Sequence, residues 1–169
     1  MNLEDLKKLS SFETSERISE FTVGQCLTNL KFYGQRITST FTKYEALDQN
    51  SEMATIMLDA IKNNFNDYAQ IFLDLVLVVC EDYAVNSLNS AVRAFISKFE
   101  PDEPELSFVN FLNERNSIVH EYYNREFLEE RIRSLLSNYM DGALGVVTIF
   151  EKYVTKNHLA DVKIRKGKK

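Results

Sequence analysis

The stretch EMATIMLDAIKNNFNDYAQIFLDLVLVVCEDY, residues 52–83, decides the fold class. Its apolar residues Met53, Ile56, Ile61, Phe65, Tyr68, Phe72, Leu75, Val79 and Tyr83 recur mostly every three or four positions, the period of one helical face. A long helix is therefore predicted at the centre of the molecule. The polar group Lys62, Asn63, Asn64, Asn66 and Asp67 is expected on its solvated side. The apolar run 71–80 is interrupted by Asp74 and falls well short of the ~20 residues that a bilayer requires, so it predicts a buried helix and no membrane association.

Similar patterns lie on both sides. Upstream, Thr22 and Gln25 have the spacing of a capping box, and Val23, Leu27, Leu30, Ile37, Phe41, Tyr44 and Leu47 form a second stripe, which the polar residues 48–51 separate from the central one. Downstream, 86–89 has turn composition, and Ala91, Val92, Phe95, Ile96 and Phe99 predict a short helix stopped at Glu100 and Pro101. Asp102 is placed to cap a fourth main segment over about 103–123, with Pro104 tolerated in its first turn and Glu103 and Glu105 suited to the positive end of the dipole. Asn124 then opens a long final stripe, from Leu128 and Ile132 through Val146 to Tyr153, in which Gly142 and Gly145 permit close backbone approach. With only five Gly and two Pro in 169 residues, the chain predicts an all-α fold, an up-and-down helical bundle of four main helices plus a short one. One domain of this size buries about 70% of its unfolded surface and requires no metal or disulfide staple.

Charge is unevenly distributed. The net charge is −5, but residues 152–169 hold seven basic residues and one acidic, which leaves a body at −11 and a tail at +6. An acidic body excludes a broad nucleic-acid surface, since Lys and Arg on phosphates supply most nonspecific affinity; any RNA contact must be local or shared with a partner. Cys26 and Cys80 both sit in apolar helical patterns, and two such thiols without a leader sequence point to the reducing cytoplasm.

Within the fourth segment, Phe108, Phe111, Ile118 and Tyr122 mark a buried face, and the position missing from that series is Arg115. Arginine is rarely buried unless paired, so a guanidinium in this seam demands a carboxylate, a second chain or a ligand anion. Asn116 and His120 lie four apart on the adjacent face, and His120 is about 140° round the helix from Arg115, so the two flank one edge. The order Arg115, Asn116, three residues, His120, one residue, Tyr122 resembles the signature of the HEPN superfamily, most closely that of HepT-like toxins. The same motif is found in similar substrate-binding partners of minimal nucleotidyltransferases.

The resemblance implies a HEPN-like bundle over residues 23–155, with residues 1–22 as an N-terminal segment of unassigned role and 156–169 as a basic C-terminal tail. It also implies a metal-independent endoribonuclease toxin, cofactor-free, with Arg115 and His120 catalytic, Asn116 orienting them, and a composite site built across a homodimer. The substrate is RNA. Tyr122 then matches the acceptor of adenylate groups transferred by a nucleotidyltransferase antitoxin, an AMPylation that adds negative charge beside Arg115. The chemistry suits the residue types: the 2′-hydroxyl is RNA's own nucleophile, imidazole exchanges protons near neutral pH, and arginine offers a fork of donors to phosphate oxygens.

Two alternatives stand beside this. The protein could be a noncatalytic HEPN subunit that binds substrate for a nucleotidyltransferase, or a structural helical adaptor in which Arg115 pairs with Glu114, Glu121 or Glu126, His120 caps a helix and Tyr122 packs at its end. Other chemistries have little basis. The second histidine, His158, is remote in sequence, neither His120 with Glu121 nor the cysteines have zinc spacing, and neither a phosphate-binding glycine loop nor a nucleophile elbow is present.

Overall fold

A computed structural model describes residues 21–81, 85–115, 118, 125–138 and 140–164. Six helices account for most of them: α1 (Val23–Glu45), α2 (Glu52–Val79), α3 (Leu88–Phe99), α4 (Glu103–Leu112), α5 (Arg125–Asn138) and α6 (Met140–Lys156). The architecture is an all-helical bundle in which α1 packs on α2 and α6, α4 packs on α6, and α3 sits between α2 and α4. No described helix is long and apolar enough to cross a membrane.

The helix starts follow local chemistry. At α1 the Gln25 N–H donates to Thr22 Oγ1 at 3.2 Å and the Thr22 N–H donates to Gln25 Oε1 at 2.9 Å, the reciprocal box expected from the sequence. Ser51 caps α2 by accepting from the Ala54 N–H. α3 begins three residues earlier than its apolar stripe suggested, because Ser87 and Ser90 form a capping box of their own, with serine in the place usually held by Glu or Gln. Asp102 occupies the N-cap position of α4 but its side chain makes no capping bond.

Several boundaries differ from expectation. The core face of α2 begins at Ala54 and Leu58, while Met53 and Ile56 are exposed, so the inward register is one position off the stripe at its start. Asn64, expected on the solvated side, is buried. α2 stops at Val79, with Cys80 as C-cap and Glu81 in the left-handed region at φ 49°, short of Tyr83, which lies outside the described residues. α4 ends at Leu112 where a continuous helix to 123 was expected. There the N–H groups of Asn113 and Glu114 bond three residues back, to Asn110 and Phe111, tightening the chain into a turn.

Part of the segment assigned to the basic tail, residues 158–164, packs back on the bundle. After α6, His158 takes a left-handed φ of 55° and the chain returns to the start of α1. The first N–H groups of a helix have no intrahelical acceptor. Here the Val23 N–H donates to the Val162 carbonyl at 2.8 Å, the Gly24 N–H donates to that of Ala160 at 2.9 Å, and the Ile164 N–H donates to the Phe21 carbonyl at 2.8 Å. Ile164 is buried, so Lys163 and Ile164 dock on the bundle and do not belong to a free basic tail. Gly24 suits this contact, since a Cβ there would come 3.1 Å from the Ala160 carbonyl oxygen.

What places α4, and with it the approach to Arg115, is its contact with α6. A Cβ on Gly142 would lie 2.2 Å from the Pro104 carbonyl oxygen and 2.6 Å from Phe108 Cβ, so only glycine lets the two backbones meet this closely. Tyr68 on α2 closes the same region. Its ring meets Phe108 edge-on at 5.4 Å, and its buried hydroxyl, with its pKa raised by burial, donates to the Ala143 carbonyl at 3.3 Å.

Candidate functional site

Arg115 directly follows the turn that ends α4. Its backbone is again helical, and the Ile118 N–H bonds back to the Glu114 carbonyl at 3.1 Å. Phe108, Phe111 and Ile118 are buried as the apolar series requires, and Arg115 occupies the gap in that series half-buried. Its Nε is shielded from solvent and has no hydrogen-bond partner among the described residues. A buried donor in that state costs about 1–3 kcal/mol, more when it is charged, so the position carries an unmet demand for an acceptor.

Of the carboxylates that could have met it, Glu114 is committed elsewhere and Glu126 makes no ion pair with it. Glu114 Oε2 lies 2.5 Å from Arg131 Nη1 on α5, close enough to pair although not aligned for a hydrogen bond, and Arg131 also stacks over the Phe127 ring at 5.0 Å. The arginines of α5 are all engaged: Arg125 Nη2 donates to the Gln49 carbonyl, and Arg133 pairs with Glu45 at 3.2 Å while lying over Phe41. Half-exposed pairs of this kind contribute about 0–1 kcal/mol each. Arg115 itself has no carboxylate partner among the described residues. Glu121 lies outside the described residues, as do the other three motif positions Asn116, His120 and Tyr122.

Arg115 lines a cleft of about 500 Å³. Gln70 and Leu73 of α2 form one part of its lining, Asn86 to Asn89 at the start of α3 a second, and Asn113 in the turn before Arg115 a third. Four carboxamides thus share a lining with one guanidinium, and among the described residues no acidic side chain lines the cleft. Sequence reasoning missed these amides. Asn113 stands two residues before the motif and could have been noticed; Gln70, Asn86 and Asn89 come from distant segments, with no local signal linking them to Arg115.

A smaller groove of about 240 Å³ between α1 and α2 is lined by Cys26, Tyr33, Asp67 and Ile164 among others. Burial, and secondarily the charge of Asp74, push the Cys26 thiol up to about 11, and burial also raises the Asp67 carboxyl. A thiol so disposed is a packing group at neutral pH. Among the described residues, no group of three His, Cys, Asp or Glu side chains is gathered to hold a metal ion. No protein-family model matches this chain, nor does any curated protein or solved structure.

Proposed function

We propose that the chain is a metal-independent endoribonuclease toxin of the HepT-like kind, acting as a cytoplasmic homodimer and controlled by a nucleotidyltransferase antitoxin. The observation that carries the reading is the run from Arg115 through Asn116 and His120 to Tyr122, whose arginine is half-buried, unpaired among the described residues and at the edge of a polar cleft. The structural adaptor reading needs that arginine to be paired within the bundle, and Glu114 is turned to Arg131 instead.

In the proposed reaction His120 accepts the proton of a 2′-hydroxyl, the 2′-oxygen attacks the adjacent phosphorus, and the bond from phosphorus to the 5′-oxygen breaks. The products are a 2′,3′-cyclic phosphate and a 5′-hydroxyl, the latter protonated by an imidazolium. Arg115 holds the charge that builds on the phosphoryl oxygens, and Asn116 orients the pair. Proton transfer by a placed imidazole contributes roughly 10² to 10⁴ in rate. The test is cleavage of total RNA in excess chelator: wild type is expected to cut, and His120→Ala to cut at least about a hundredfold more slowly. A folded wild-type protein that binds RNA without cutting it would assign the chain to the noncatalytic binding subunits instead.

Tyr122 lies seven residues from Arg115, about two helical turns along nearly the same face in a regular helix. Adenylylation of its hydroxyl would place a phosphodiester charge near the cation that substrate phosphate needs. Co-expression with a cognate nucleotidyltransferase is expected to add adenylate mass to the intact protein, and Tyr122→Phe to prevent it. Mass gain that persists in the variant moves the acceptor elsewhere, with the adjacent Tyr123 first in line.

A further inference from the structure

We infer that the cleft beside Arg115 binds an unpaired nucleobase of the RNA, adenine by preference, through the carboxamides of Asn86, Asn89 and Asn113. This rests on the RNA-directed reading above and adds a source of sequence selectivity to it. The lining suits a base edge: a phosphate can only accept and a metal ion is met only by acceptors. Carboxamides present both, as base edges do, and Asn or Gln pairs in bidentate fashion with the N6 and N7 positions of adenine.

These amides are available. The side chains of Asn86, Asn89 and Asn113 make no hydrogen bond among the described residues, and all three are exposed. Gln70 donates from Nε2 to Asp74 at 3.1 Å, and its oxygen makes no hydrogen bond among the described residues. Ser87, by contrast, is used in the α3 capping box and is not counted as a reader. At about 500 Å³ the space falls within the range of small-ligand sites, about 300–1,000 Å³, and is roomy enough for one nucleotide. Single-stranded RNA is read in this way, with bases splayed out of the stack and bonded on their edges. Arg115, on the same lining, is then next to the phosphate of the nucleotide so held.

The experiment is equilibrium binding of the full chain to short fluorescent oligomers of adenylate, uridylate and cytidylate, 2′-O-methylated so that they cannot be cut. The adenylate oligomer is expected to bind about tenfold tighter than the other two, and Asn89→Ala and Asn113→Ala each to reduce that ratio to about threefold or less. Both positions are exposed, so circular dichroism should show the variants folded. Equal affinity for the three oligomers, or an adenylate preference that survives in both variants, overturns the inference. If the oligomers bind without preference while wild type still cleaves RNA in chelator, the base site alone fails. If nothing binds and nothing is cut, the RNA-directed reading fails with it.

Discussion

Replacing Arg115 with alanine is expected to slow RNA cleavage about 10²- to 10³-fold, the usual effect of removing a group that holds transition-state charge. The urea midpoint should stay where it was or rise. The two halves of this expectation come from one observation. Arg115 is half-buried with a shielded Nε that no acceptor meets among the described residues, so deleting it relieves a desolvated donor and breaks no ion pair among them. A purely structural arginine would give the opposite result, a lower midpoint with cleavage unchanged, and that outcome would remove Arg115 from the site. Arg115→Lys is expected to recover little activity, because an ammonium keeps the charge but loses the planar fork that grips two phosphate oxygens. Rates measured with total RNA in chelator, alongside urea unfolding of each variant, separate the cases.

How much of this is legible in the sequence depends on the range of the interaction involved. The fold class followed from period alone, since the long stripes of α1 and α2 are largely buried; the final stripe, expected on one helix, is carried by two, α5 and α6. The Thr22 box was legible because all its parts lie within four residues. Ser87 was not, because Ser90 serves where a longer side chain is usual. The gap at Arg115 in the apolar series was visible as a periodicity defect, but its lack of a carboxylate among the described residues was not. That depends on Arg131, sixteen residues on, claiming Glu114, and on which distant segments wall the cleft. The docking of 159–164 is more remote still, since it pairs the end of the chain with residues 21–24 and leaves only a weak pattern of Leu159, Val162 and Ile164. The break after Leu112 had a faint signal, Asn113 and Glu114 inside an otherwise helical run.

The stability of the scaffold that carries the cleft should depend most on Phe150. Its ring is fully buried on α6, with Phe95 of α3 at 5.3 Å, Phe72 of α2 at 5.9 Å and Phe99 of α3 at 6.1 Å between centroids. Phe72 and Phe95 also meet each other, at 5.5 Å, so three helices share one aromatic cluster. Phe150→Ala removes the ring that meets the other three and leaves a cavity whose walls belong to separate helices. Its expected cost is about 3–5 kcal/mol, a large part of the 5–15 kcal/mol that holds a typical domain together. In urea this is read as a lower midpoint at unchanged slope; a loss under about 1 kcal/mol would mean that the cluster closes over the gap and that α3 is not held there. The consequence reaches the cleft, because α3 carries Asn89 at its first turn and is short, only 12 residues, with little helical stability of its own. A double-mutant cycle with Phe95→Ala isolates the link: rings at this distance should couple by about 0.5–1.5 kcal/mol beyond the area they bury, whereas strict additivity would show that α6 and α3 are stabilised independently.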